Sequence, residues 1–148
     1  MTMTAGRARA TGYQGYSETL PRTEETVSVA RGLVLKACAA WEIGNETAEA
    51  AALVLSDLVT NAVNHARGDS LRVIAECPPG DRLYLAVVDM DPSRVPMLRT
   101  PGDDDTDGRG LVLVDVLAHR WGCDLLGPAR RPNRKRCWAE LKVKKAAR

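Results

Sequence analysis

No apolar run in this 148-residue sequence approaches the ~20 residues that a helix needs to cross a bilayer. Arg7 and Arg9 stand near the start, but no apolar segment follows them, so the pattern of a secretory signal is missing. The four cysteines, Cys38, Cys77, Cys123 and Cys137, form no Cys-x-x-Cys pair, and zinc-site spacing is absent. They read as four reduced thiols packed in or near a core, which makes the cytoplasm the expected location. There is no Gly-x4-Gly-Lys-Ser/Thr run, which excludes a P-loop. The net charge of +2 is too small to argue for a nucleic-acid surface. Arg and Lys do concentrate over residues 130–145, but the only aromatic among them is Trp138, so a nucleic-acid partner is not expected.

The chain is 45% hydrophobic and 27% charged, ordinary values for a globular protein, and its length suits one domain with a sizeable core. Residues 1–12 are small, polar and basic and read as a disordered tail, leaving a domain over residues 13–145. Residues 13–20 suit a short edge strand ending at Pro21. A helix is expected from Thr23, its candidate cap, to Trp41, with Gly44 ending it. Asn45 is the candidate cap of a second helix reaching about Ala66, on which Ala48, Ala52, Leu55, Val59, Ala62 and Ala66 form one small apolar stripe. Leu71, Val73, Ala75 and Cys77 alternate as one strand face, and Leu83, Leu85 and Val87 as another. The Pro-Pro-Gly-Asp turn at 78–81 joins them as a hairpin. Residues 90–107 lack apolar periodicity, and a loop of that length inside a compact domain is usually functional or mobile. A helix is expected over 111–118, then strands over 121–126 and 137–143. This order predicts a two-layer α/β sandwich with a mainly antiparallel sheet and helices on one face.

Asp57, Asn61 and Asn64 line up on the side of the second helix opposite its apolar stripe. A carboxylate and an amide oxygen one turn apart suit a hard cation such as Mg²⁺, or the carboxylate can deprotonate a nucleophile; a solvated helix face is the commoner reason for such a stripe. His65 stands at the helix end. Asp89 continues the inward face of Leu83, Leu85 and Val87, where a carboxylate needs donors: a ligand amine such as that of adenine, or merely the cap of the next turn. Gly108, Arg109 and Gly110 precede an apolar helix, and such a turn lets phosphate approach free backbone amides. Asp103, Asp105, Asp107 and Gly108 imitate the start of an EF-hand, but the Glu needed at loop position 12 falls at Val114, so calcium is rejected. Lys135 shares the register of Cys137, Ala139, Leu141 and Val143. It could meet phosphate at a pocket mouth, although spacing alone favours a strand-end lysine at the surface.

Taken in order, residues 57–66 (DLVTNAVNHA), Val87-Val88-Asp89, Gly108-Arg109-Gly110-Leu111, Trp121-Gly122 and Trp138-Ala139-Glu140-Leu141 resemble the histidine-kinase-like (GHKL) ATPases. More narrowly, they look like the bacterial anti-sigma-factor serine/threonine kinases, and the likeness runs over residues 17–143. The resemblance implies a Bergerat-type fold binding ATP and Mg²⁺. It puts Asn61 on the metal, Asp57 in the place of the base and Asp89 on adenine. Gly108 and Gly110 fall on phosphates, with Arg109 and Leu111 beside them, and residues 91–107 over the nucleotide as a lid. Asn64, His65, Asp91 and Lys135 complete the expected nucleotide site. The expected partners are a sigma factor and a STAS-type anti-sigma factor antagonist, in a homodimer. Two positions depart from the family pattern: Asp57 replaces the usual Glu, and Asp91 stands where Gly is frequent.

Overall fold

The computed structural model describes residues 7–8, 14–65, 68–90 and 109–143. The 91–107 loop, with Asp91 and Gly108, lies outside those residues, as does the expected disordered tail except for Arg7 and Ala8, which form a short strand instead. In chain order the elements are β1 (Arg7–Ala8), β2 (Gln14–Pro21), α1 (Glu25–Ala40), α2 (Asn45–His65), β3 (Ser70–Cys77), β4 (Arg82–Asp89), α3 (Arg109–Leu117), β5 (Arg120–Leu126) and β6 (Arg134–Lys142). All strand pairings are antiparallel, in the order β1-β2-β3-β4-β6-β5. The helices pack on one face, α1 over β2 and β3, α2 over β4 and β6, and α3 beside β5. This is the predicted two-layer sandwich.

Strand alternation and helix periodicity meet in one core. Leu71, Val73 and Ala75 of β3, Leu83, Leu85 and Val87 of β4, and Ala139 and Leu141 of β6 are buried against Leu55, Leu58, Val59 and Ala62 of α2. Ala48, Ala51 and Ala52 are buried on the same helix, which packs closely against α1. Val114 of α3, the position an EF-hand would need as Glu, is fully buried. On the outer sheet face Tyr84 and Trp138 stack with centroids 6.2 Å apart. Gly122 makes room for them, since a Cβ there would stand 3.1 Å from the Trp138 ring.

Several element ends differ from expectation, each for a local reason. β2 pairs with β3 along its whole length and meets β1 on its other side only at Gln14 and Gly15, so residues 16–21 form an outer edge among the described residues, as expected. Thr23 does not cap α1: Glu24 holds the N-cap position with no side-chain cap bond. The Thr23 hydroxyl instead lies 3.3 Å from that of Thr26, which donates to the Pro21 carbonyl. At the far end α1 stops before Gly44. Glu42 adopts the left-handed conformation with φ 58°, the Glu42 amide bonds Ala39, and the Ile43 amide bonds Cys38 at 2.9 Å. That is a Schellman closure built on a glutamate, where glycine would be the easier residue. Gly44 is thereby free to open α2, its carbonyl accepting from Ala48 at 3.0 Å, and Asn45 is the first helical residue rather than the cap.

β6 starts at Arg134, three residues before the expected Cys137. Its charged start is held by the ladders to β4 and β5 and by the ion pair of Arg136 with Asp124 at 3.0 Å. The cysteines also differ from four free thiols. Cys123 and Cys137 stand opposite each other across β5 and β6, Cα atoms 4.1 Å apart, and form a disulfide. Spacing could not show this, because the pairing comes from strand register. Cys38 and Cys77 are free, and burial pushes the Cys38 thiol up to about 11, with the neighbouring Cys77 adding to the shift.

Candidate functional site

The site is built on the second half of α2 and on the facing ends of β4 and β6. Leu58, Val59 and Ala62 anchor α2 to the core. Their helical spacing leaves Asp57 and Asn61 half-buried, one turn apart, and carries Asn64 into solvent. His65 is the last residue of α2 and is half-buried. Burial pushes the Asp57 carboxyl up to about 6. Its Oδ2 is buried and has no hydrogen-bond partner among the described residues. A carboxylate oxygen kept in that state costs free energy, and functional sites are where such groups gather.

Sequence reasoning missed the residue that fixes this end of α2. Arg22, in the connection between β2 and α1, donates from Nη1 to the Val63 carbonyl at 2.8 Å and from Nε to the Gly68 carbonyl at 2.7 Å. Its own amide bonds the Asp69 carbonyl at 2.9 Å. The guanidinium therefore satisfies a carbonyl of the last helical turn and places a positive charge at the negative end of the helix dipole. An Arg just after a strand-ending Pro was the only available signal, and it does not name carbonyls so far along the chain.

On the sheet, Asp89 and Lys135 are the last residue of β4 and the second of β6, directly opposed in the antiparallel register. Both point to the helix side. Asp89 is 3% exposed and Lys135 1%, with Nζ 3.6 Å from Oδ2. The core-side position of Asp89 agrees with its strand alternation. The expectation of a surface lysine at Lys135 is overturned: alternation puts it inside, and the Asp89 carboxylate supplies the countercharge that a buried ammonium needs. Because α2 packs on β4 and β6, the Asp57/Asn61 pair and the Asp89/Lys135 pair belong to layers that face each other.

α3 begins at Arg109, so Arg109, Gly110 and Leu111 form its first turn rather than preceding it. First-turn amides of a helix lack intrahelical partners and can receive an anion.

The donor set fits a nucleotide with Mg²⁺. An amide oxygen, a carboxylate oxygen with spare capacity and a helix start are hard-cation and phosphate chemistry. Among the described residues no three His, Cys, Asp or Glu side chains converge on a metal position. Asn61 and Asp57 would be the residues to hold a cation here, with water and phosphate as its other ligands. A separate cavity of about 450 Å³ opens between Glu46, Leu117, His119 and Lys142, at the end of the sheet away from Asp89. No helix of the described residues is long and apolar enough to cross a membrane.

Comparison with known proteins agrees with this geometry. Over 78 residues, the chain is 33% identical to an uncharacterized protein of Streptomyces coelicolor, a match covering 51% of this chain and 74% of that relative. Residues 20–125 match the histidine kinase-like ATPase domain. That span includes all three helices, the β3–β4 hairpin, Asp57, Asn61 and Asp89, and so the chain belongs to the histidine kinase-like ATPase family.

Proposed function

We propose that this protein binds ATP with Mg²⁺ and works as an anti-sigma-factor-type regulator, a serine/threonine kinase acting on a STAS-type anti-sigma factor antagonist and sequestering a sigma factor as a homodimer. The observation that carries the reading is Asp57, a half-buried carboxylate with an open oxygen, one helical turn from Asn61. When bound, Mg²⁺ neutralises phosphate charge and orients the terminal phosphoryl group. Asn61 offers its amide oxygen to the cation. Asp89 accepts from the exocyclic amine of the base, and the first turn of α3 lies on the phosphate side. Asp57, ionised above a pKa of about 6, accepts the proton of a substrate hydroxyl as that oxygen attacks the γ-phosphorus, whose bond to the bridging oxygen breaks so that ADP leaves. The cytoplasm, where nucleotide is available, is the matching location, and there the Cys123–Cys137 disulfide would follow the redox state of the cell.

A second reading is supported by Asp57 being one methylene shorter than the family's usual Glu and by Asp91 replacing a frequent Gly. In it the protein binds nucleotide without turnover, and the nucleotide tunes a protein-binding surface. Calorimetry with ATP in Mg²⁺ and in EDTA tests what the two readings share. Wild type shows Mg²⁺-dependent binding, and Asn61→Ala weakens it at least tenfold; an unchanged affinity refutes the role of Asn61. Phosphotransfer to a Ser/Thr-containing antagonist then separates them, since a folded, ATP-saturated protein that transfers nothing excludes the kinase.

A further inference from the structure

We infer that Lys135 is a positioning residue for the base rather than a phosphate ligand: it holds Asp89 as an ionised acceptor and thereby sets a preference for a 6-aminopurine over a 6-oxopurine. The inference rests on the nucleotide reading above and deepens it.

Burial and register carry it. Lys135 is 1% exposed and sits opposite Asp89 at the strand ends, Nζ 3.6 Å from Oδ2. A lysine meant only for phosphate has no need of a carboxylate in a dry layer, where both ions lose hydration. Arg130, Arg131 and Arg134, beside it in sequence, are exposed, where a positive charge keeps its hydration. What the buried ammonium does for its neighbour is specific. A lone buried carboxyl takes up a proton rather than carry charge, and then it donates as well as accepts. Beside an ammonium the carboxylate stays ionised and can only accept. An acceptor-only group at the end of β4 welcomes the amino group of adenine. It repels the carbonyl oxygen that hypoxanthine carries at the same ring position. A buried polar contact of this kind discriminates strongly, because the wrong partner leaves the site unpaired.

The test measures ATP, ITP and adenosine affinities for wild type, Lys135→Met and Lys135→Gln, with a denaturation cycle over Lys135→Met, Asp89→Asn and the double variant. Wild type is expected to prefer ATP over ITP, and both lysine variants to reduce that preference tenfold or more. In the cycle the double variant is expected to unfold at higher denaturant than Lys135→Met, since the second substitution removes a buried charge that has lost its ammonium. An equal loss of ATP and ITP affinity, with adenosine binding unchanged, places Lys135 on the phosphates and overturns the inference. An unchanged preference overturns it too, as does strict additivity in the cycle. If folded wild type binds neither nucleotide, the nucleotide reading fails and takes the base preference with it. Additivity in the cycle alone discards the Asp89–Lys135 linkage while leaving ATP binding standing. The Gln variant keeps the comparison available if the apolar Met does not fold.

Discussion

Asp57 is a charge the fold carries at a cost, and removing that charge measures the cost. Burial raises its carboxyl from 3.8 to about 6. A folded-state pKa above the unfolded value means that the native protein binds the proton more tightly. The penalty is therefore fully present above about pH 6 and is relieved as pH falls through the window from about 6 to 3.8. At 1.36 kcal/mol per unit, a shift of this size amounts to ~3 kcal/mol, and because the group is only half-buried, solvent screening reduces this to ~1.5 kcal/mol. Asp57→Asn removes the charge with little change of shape. It should raise the melting temperature by roughly 3–5 °C at pH 8 for a domain of this size. At pH 4, where the native Asp57 is already protonated, the gain should largely vanish. The quantity to compare is the difference of differences, variant minus wild type at pH 8 less the same at pH 4, because the cost of an amide nitrogen in place of Oδ2 then cancels. Scanning calorimetry or circular dichroism at the two pH values supplies it. A value near zero, or a gain larger at pH 4 than at pH 8, refutes the claim that Asp57 is a destabilising ionised group. Saturating Mg²⁺ and ATP should narrow the gap, since stability given up at a functional carboxylate returns when the ligand binds.

Arg22→Ala removes two hydrogen bonds to carbonyls at the end of α2 and a favourable charge on its dipole. Amide exchange around residues 61–65 should accelerate at least tenfold while β3 and β4 remain protected, and uniform protection would show that Arg22 is not the cap. Reduction of the Cys123–Cys137 disulfide, which closes a loop with a sequence separation of 14, should cost ~3 kcal/mol in chemical denaturation. Cys123→Ser/Cys137→Ser should show the same loss without responding to reductant, and an identical midpoint for the oxidised and reduced wild type would refute the linkage.

The parts of the fold that could be read in advance were those whose period is local. α2 declared itself because Leu55, Val59 and Ala62 recur at helical spacing, and the same spacing placed Asp57 and Asn61 together. The β3–β4 hairpin declared itself through strict alternation around one turn, which also put Asp89 on the core side. What escaped depends on partners far away in sequence. The run Arg134-Lys135-Arg136 looks like a solvated turn until β4 and β5 flank it, whereupon alternate residues face opposite sides of the sheet. Cys123 and Cys137 meet only through strand register. Arg22 reaches carbonyls 41 and 46 residues ahead, a relation with no local pattern. α1 ends within a residue of the expected Trp41, but its stop signal was misread, because Glu42 takes the left-handed position that glycine usually fills.

The strand order has a consequence for how the molecule comes into being. β6 follows the other elements in the chain yet lies inside the sheet, between β4 and β5. During synthesis β2, β3 and β4 can pair as soon as they emerge, and α1 and α2 can settle on them. β4 meanwhile exposes an open edge, and Asp89 waits at its end. Only when residues 134–142 arrive are that edge covered and Lys135 delivered to the carboxylate. The Asp89 end is thus assembled last, by a pairing between segments far apart in the chain, the kind of contact that folds slowly and leaves a chain open to aggregation meanwhile.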